Sequence, residues 1–217
     1  MYDLCVGLGY HCESTHQLRR HTGDGRAHFF DWLDLDLASV VDAVRSDFRD
    51  VLRTGPVVPC SEGRCALDRP SGIRFFHDFR AAPGSPLTAS DIAEQLPRVQ
   101  AKFAHLADRW RTMAASSARV LYVHHDAFDE SGTAEVLDLH AALAEQHPGH
   151  RFGLLWLRRT PPPGTTALPP HLHTGTVPLV PGRWEGDDDA WDRVLSALPL
   201  RPRTAPGPHD RTEDPRP

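Results

Sequence analysis

Lysine is nearly absent from this chain: Lys102 is the single lysine among 24 cationic residues, which face 29 acidic ones for a formal net charge of −5. No window gathers the arginines into a basic stripe, which excludes a dedicated nucleic-acid binder, because such proteins concentrate cations along the phosphate path. The arginine, alanine and proline excess matches the coding bias of a GC-rich bacterial genome. Also missing is any run of about 18 apolar residues, and the start Met-Tyr-Asp-Leu-Cys has no cationic segment followed by an apolar one. Neither signal peptide nor membrane span is expected, and the chain should be cytoplasmic. Cysteine is sparse. Cys5, Cys12, Cys60 and Cys65 have neither the density of a disulfide scaffold nor the paired spacing of a closed zinc site, so reduced thiols and no bound metal are expected. There is no P-loop and no internal repeat.

What is present is a globular composition, 40% hydrophobic and 24% charged, interrupted by 20 prolines and 16 glycines over 217 residues. That supports one domain over residues 1–198 and a proline-rich, disordered tail over 199–217. Leu4-Cys5-Val6-Gly7-Leu8-Gly9 reads as a buried strand ending in a tight turn, with a helix over 13–21 directly after it. Apolar residues spaced by three and four predict helices over 37–53 and from about 90 to 113, the second with an Asp91/Glu94 N-terminal signal and an internal Pro97. Residues 57–71 are rich in turn formers, and the aromatic stretch 73–79 reads as a strand. Beyond it the pattern alternates: strand 120–124, helix 133–147, strand 152–157, strand 176–180, helix 188–198. Alternation of this kind predicts an α/β fold, a single three-layer domain with a mainly parallel sheet.

Cys12 is the sharpest candidate for chemistry. At a strand-to-helix junction its thiol faces the positive end of the helix dipole and unsatisfied N–H groups, which favour a thiolate and can hold an oxyanion. A nucleophilic thiol needs a base, and the base needs an orienting group. Among 14 histidines, His77 is preferred because an imidazole in an aromatic segment is costly unless paired or functional. Asp31, embedded in Phe29-Phe30-Asp31-Trp32, is the preferred third member. Asp126, at a strand end, stands in reserve. Asp78 should point to the opposite face of a regular strand from His77. Cys60 and Cys65, in a loop, should be the more exposed thiols, with Glu62 raising their pKa, so the reactive thiol is expected to be Cys12.

Weaker signals remain open. Gly7-x-Gly9 has the first two glycines of a dinucleotide fingerprint, with Cys12 where the third belongs. Cys60-x4-Cys65 and His171-x-His173 are conceivable metal ligands. Arg158-Arg159, after a strand, could hold an anionic substrate group. A nucleotide or nucleotide-sugar enzyme, and a noncatalytic scaffold with an inert Cys12, are the readings from other classes.

The order Tyr2-Asp3, Gly7-Leu8-Gly9-x-x-Cys12, Leu18-Arg19-Arg20, Phe30-Asp31-Trp32, Phe48 and Phe76-His77-Asp78-Phe79 resembles the bacterial domain family of unknown function labelled putative papain-like cysteine peptidase. The likeness covers about residues 1 to 125. Members usually show Ser-Leu-Gly-x-x-Cys and Pro-Phe-Asp-Trp; here Gly7 stands for the serine and Phe29 for the proline. The resemblance implies a Cys12 nucleophile with His77 as general base, acting on a small-molecule or peptidyl acyl substrate as a hydrolase or acyltransferase with no cofactor. It also implies an alternative fold, the papain-like α+β arrangement with an antiparallel sheet.

Overall fold

The computed structural model describes residues 1–162 and 168–201. Four parallel strands form the central sheet in the order β1 (Leu4–Gly7), β6 (Arg119–Asp126), β7 (Arg151–Arg158), β8 (Leu172–Thr176). Leu4 pairs with Val120 and Gly7 with Val123, in parallel. The papain-like antiparallel arrangement is thereby set aside.

Alternate residues of the central strands feed two separate cores, as a strand covered on both faces requires. Val120, Tyr122, Leu154 and Trp156 enter the larger core with α2 (Leu37–Arg45), α3 (Ala89–Ala114) and α4 (Thr133–Glu145). Leu121, Val123, Leu155 and Leu157 enter the other, with Leu18 of α1 (Cys12–Thr22) and Trp191 and Leu195 of α5 (Asp188–Ser196). Helices thus cover both faces of the sheet, giving three layers. Each fully buried aliphatic side chain contributes about 1.5–3 kcal/mol, and these strands carry six of them, with Tyr122 and Trp156 beside them.

A second, antiparallel sheet places two of its strands in the stretch expected to be loop, 57–71. Its order is β2 (Leu33–Asp34), β5 (Arg74–Phe75), β4 (Cys65–Asp68), β3 (Val57–Cys60). Cys60 and Cys65 face each other across the β3–β4 hairpin and are joined in a disulfide. The expectation of four reduced thiols, two of them exposed, is therefore corrected: Cys65 is buried, and only Cys5 and Cys12 are free.

Other boundaries moved for identifiable reasons. The helix expected over 37–53 stops at Arg45, and Asp47 and Phe48 take positive φ (52° and 60°). Arg111 Nε holds the Asp47 carboxylate at 2.9 Å, and Phe48 turns into the rings of Phe29 (4.2 Å) and Trp110 (5.3 Å). Pro97 does not end α3. An internal proline costs about 3 kcal/mol, and the burial of Ile92, Val99, Phe103 and Trp110 exceeds it. The N-terminal cap of α3 is Thr88 with Asp91 rather than Asp91 with Glu94. The strand expected over 73–79 is paired only at Arg74–Phe75. β8 lies four residues earlier than expected, with Pro178 just beyond the last bond, from Val177 N–H to the Arg158 carbonyl. Of the expected tail 199–217, residues 199–201 pair with Tyr2, and 202–217 lie outside the described residues. Among the described residues no helix is long and apolar enough to cross a membrane.

The turn from β1 into α1 is the tightest constraint. Gly9 has φ +78°, and a Cβ there would strike Leu35 Cδ2, so packing inside the chain accounts for this glycine; a Cβ on Gly7 would stand in ordinary contact with Leu18 Cδ1 at 3.4 Å. Gly9→Ala should cost about 2–5 kcal/mol, the sum of a left-handed non-glycine residue and an overpacked contact. A urea unfolding curve measures it, and a midpoint equal to that of the parent protein would contradict the turn as described.

Candidate active site

Residues 7–12 leave the carboxyl end of β1, where open parallel sheets gather their ligands. Leu8 N–H continues the sheet to the Val123 carbonyl (3.0 Å), after which Gly9 and Tyr10 both take positive φ (78° and 84°). Tyr10 is held there by its hydroxyl, which donates to Glu130 Oε2 at 2.5 Å, and Ser14 Oγ donates to the His11 carbonyl at 3.1 Å. The reversal delivers Cys12 as the first residue of α1, half-buried, with His11 at the N-cap contributing no side-chain bond to the first turn. The N–H groups of that turn point at the space before the thiol.

His77 arrives from the other sheet. It follows β5 in a bend, not in a regular strand, and its neighbours anchor it. Phe75 and Phe79 are buried. Asp78 accepts from Lys102 Nζ (2.6 Å), and its carbonyl accepts from Arg98 (2.8 Å), so it faces α3 and away from the thiol. The imidazole is left on the cleft side. Cys12 Sγ lies 3.4 Å from His77 Nε2, across 65 residues of sequence.

The Asp31 carboxylate accepts from Arg19 Nη2 (3.0 Å) and from the His28 N–H (3.0 Å). That departs from the expected direct orientation of His77 by Asp31. The adjacent Trp32 is the residue that meets His77, edge to face at 5.8 Å, while its own N–H donates to Thr15 Oγ1 at 3.3 Å. Asp31 and Trp32 are thus both tied to α1. Asp126 accepts from the Glu130 and Ser131 N–H groups (2.8 Å each), which makes it the cap of the turn after β6.

The thiol pKa runs opposite to the sequence-based expectation. Burial, and then the Asp34 carboxylate, push the Cys12 thiol above its ordinary value, against a smaller opposing contribution from its own backbone N–H. Both causes act against the thiolate. Cys5, fully buried, is pushed up to about 12.

Cys12 and His77 open on a cleft of about 400 Å³. Its lining holds an ion pair: Arg159, expected to hold an anionic substrate group, instead meets Glu13, which sequence reasoning missed, Oε2 to Nη2 2.8 Å, both side chains largely buried. Glu13 also accepts from Trp191 Nε1 (2.9 Å), and Arg159 donates to the carbonyls of Ala127 (3.1 Å) and Pro178 (2.9 Å). An acidic residue in a first helical turn is too common for Glu13 to stand out in the sequence. Arg158, its carboxylate partners being Asp126 (3.6 Å) and Asp129 (3.4 Å), is likewise engaged internally. The candidate metal ligands lie apart: Cys60 and Cys65 form the disulfide, His171 meets Arg119 (3.3 Å), and His173 meets the Tyr2 hydroxyl (2.9 Å).

Among known proteins, the family model described as putative papain-like cysteine peptidase matches residues 3–158, which extends through β7 and past the motifs of the first half. No curated protein and no solved structure matches the chain.

Because the Asp34 charge disfavours the thiolate, Asp34→Asn should lower the Cys12 pKa. The pH profile of iodoacetamide alkylation should shift to lower pH, with faster reaction at pH 7. An unchanged or upward-shifted midpoint would show that Asp34 does not act on the thiol.

Proposed function

This chain belongs to the putative papain-like cysteine peptidase family, and on that premise we propose that it is a cysteine hydrolase acting on an amide, ester or thioester. Cys12 is the nucleophile and His77 the general base. The observation that carries this reading is the 3.4 Å approach of Sγ to Nε2 at the mouth of a cleft. It lies within the loose resting geometry of such pairs.

The chemistry follows from the protonation state. With burial and Asp34 acting against the thiolate, proton removal is assigned to the attack step. As the S–C bond forms, His77 Nε2 takes the thiol proton and the carbonyl electron pair moves to oxygen, facing the first-turn N–H groups of α1. Collapse expels the amine, alcohol or thiol, which takes the proton from His77, and Cys12 is left as a thioester. Water, giving its proton to the same imidazole, then hydrolyses that thioester. Where an acceptor alcohol or amine replaces the water, the identical first half makes an acyltransferase. Asp31 is a positioning residue: with Arg19 it fixes the turn that sets Trp32 against His77.

Under non-reducing conditions Cys12 should be the only cysteine that iodoacetamide modifies at neutral pH, since Cys60 and Cys65 are bonded and Cys5 is buried. His77→Ala should slow that reaction at least about tenfold, because it removes the proton acceptor. Peptide mapping reads both. Labelling at Cys5, or a rate at Cys12 indifferent to His77, would remove the hydrolase assignment.

A further inference from the structure

Four large hydrophobic side chains of the described residues stand exposed: Met1, Phe128 (59%), Leu179 (60%) and Trp184 (48%). Three of the four line the cleft that holds Cys12 and His77. Scattered exposed apolar residues need no explanation, but a contiguous set around a reactive group does.

These side chains belong to two aromatic walls. On one side Phe128 meets His11 at 5.3 Å and Tyr10 at 5.9 Å, at the turn after β6. On the other, Trp184 meets Trp32 at 6.4 Å and His16 at 5.3 Å, and Trp32 in turn meets His77. The charged groups between the walls are spent within the chain. Glu13 pairs with Arg159, and Arg183, the remaining arginine of the cleft, pairs with Asp188 at 2.7 Å. A substrate carboxylate or ammonium entering here would lose hydration and, among the described residues lining the cleft, meet only guanidinium and carboxylate groups already paired, whereas an apolar group would replace water against Trp184, Phe128 and Leu179.

We infer that the part of the substrate bound beside Cys12 is an uncharged apolar group, an aliphatic chain or an aromatic ring, and not a charged side chain or dicarboxylate. The inference rests on the nucleophile reading of Cys12 and deepens it. The available space, about a dozen water volumes, admits a medium-length chain or one to two rings.

A series of N-substituted chloroacetamides tests this without requiring turnover: the sulfur displaces chloride, forming the C–S bond as the C–Cl bond breaks, and the thiol proton passes to His77. The N-substituents compared are methyl, butyl, octyl, phenethyl and carboxymethyl, with the second-order rate at Cys12 read by intact mass and peptide mapping. Octyl and phenethyl should exceed methyl by at least about tenfold, since each methylene that leaves water favours binding about three- to fourfold at full burial. Carboxymethyl should be no faster than methyl. Trp184→Ala and Phe128→Ala, both exposed positions, should each lower the octyl-to-methyl ratio severalfold. Equal rates for octyl and methyl, or a faster carboxymethyl probe, would overturn the apolar specificity while His77-dependent methyl labelling still upheld the nucleophile. Labelling independent of His77 would overturn both.

Discussion

Everything about this site depends on the left-handed turn between β1 and α1. Gly9 and Tyr10 reverse the chain in two residues (φ 78° and 84°), and only that reversal places the first turn of a helix at the edge of the sheet with Cys12 at its head. The turn is held from three directions: Leu35 packs where a Gly9 side chain would be, Glu130 takes the Tyr10 hydroxyl, and Ser14 ties the helix back to the His11 carbonyl. A non-glycine residue in this conformation costs about 1–2 kcal/mol, so the surrounding contacts must over-determine it.

The second sheet supplies what the first lacks. The end of the parallel sheet brings Cys12 and the first-turn N–H groups of α1, and β2 and β5 bracket the segments that carry Trp32 and His77. Their two-residue pairing, Leu33 with Phe75 and Asp34 with Arg74, joins the elements that set the ring over the imidazole. Asp34 on β2 also adds to burial in pushing the Cys12 thiol pKa up, so one short strand bears on both Cys12 and the segment that carries His77. Behind them Glu13 and Arg159 bind α1 to the ends of β6 and β7 and to the segment after β8. A buried pair of this kind contributes position more than stability.

In the second half of the fold β6 and β7 were legible because they are apolar runs separated by helical spacing, a pattern set by burial on both sheet faces, whereas β8, Leu-His-Thr-Gly-Thr at the sheet edge, has no such run and was placed four residues late. The small sheet was not legible. Strands of two to four residues, one containing Pro59, carry no period, and turn formers around a Cys-Cys hairpin read as loop. The overlong α2 shows the same limit from the other side, since Phe48, Val51 and Leu52 keep a helical rhythm while Asp47 and Phe48 leave the helix for Arg111 and the aromatic core. At the site, Cys12 and His77 were readable because a thiol after a Gly-x-Gly strand end and an imidazole among phenylalanines are each locally unusual. Asp31 was visible as a buried carboxylate, but not that Arg19 would claim it. Arg159 stood out beside Arg158 as a cation for an anionic group, but its actual partner, Glu13, is 146 residues away and ordinary in a first helical turn.

The central claim is that Cys12 passes through a thioester that His77 both forms and resolves. The protein incubated with p-nitrophenyl butyrate and quenched in acid measures it directly, by intact mass and peptide mapping over time. A butyryl adduct on Cys12 should rise and decay in the parent protein. In His77→Ala it should form more slowly and then persist, because no base activates the water. An adduct on another residue, or one on Cys12 whose formation and decay are the same with and without His77, would contradict the account.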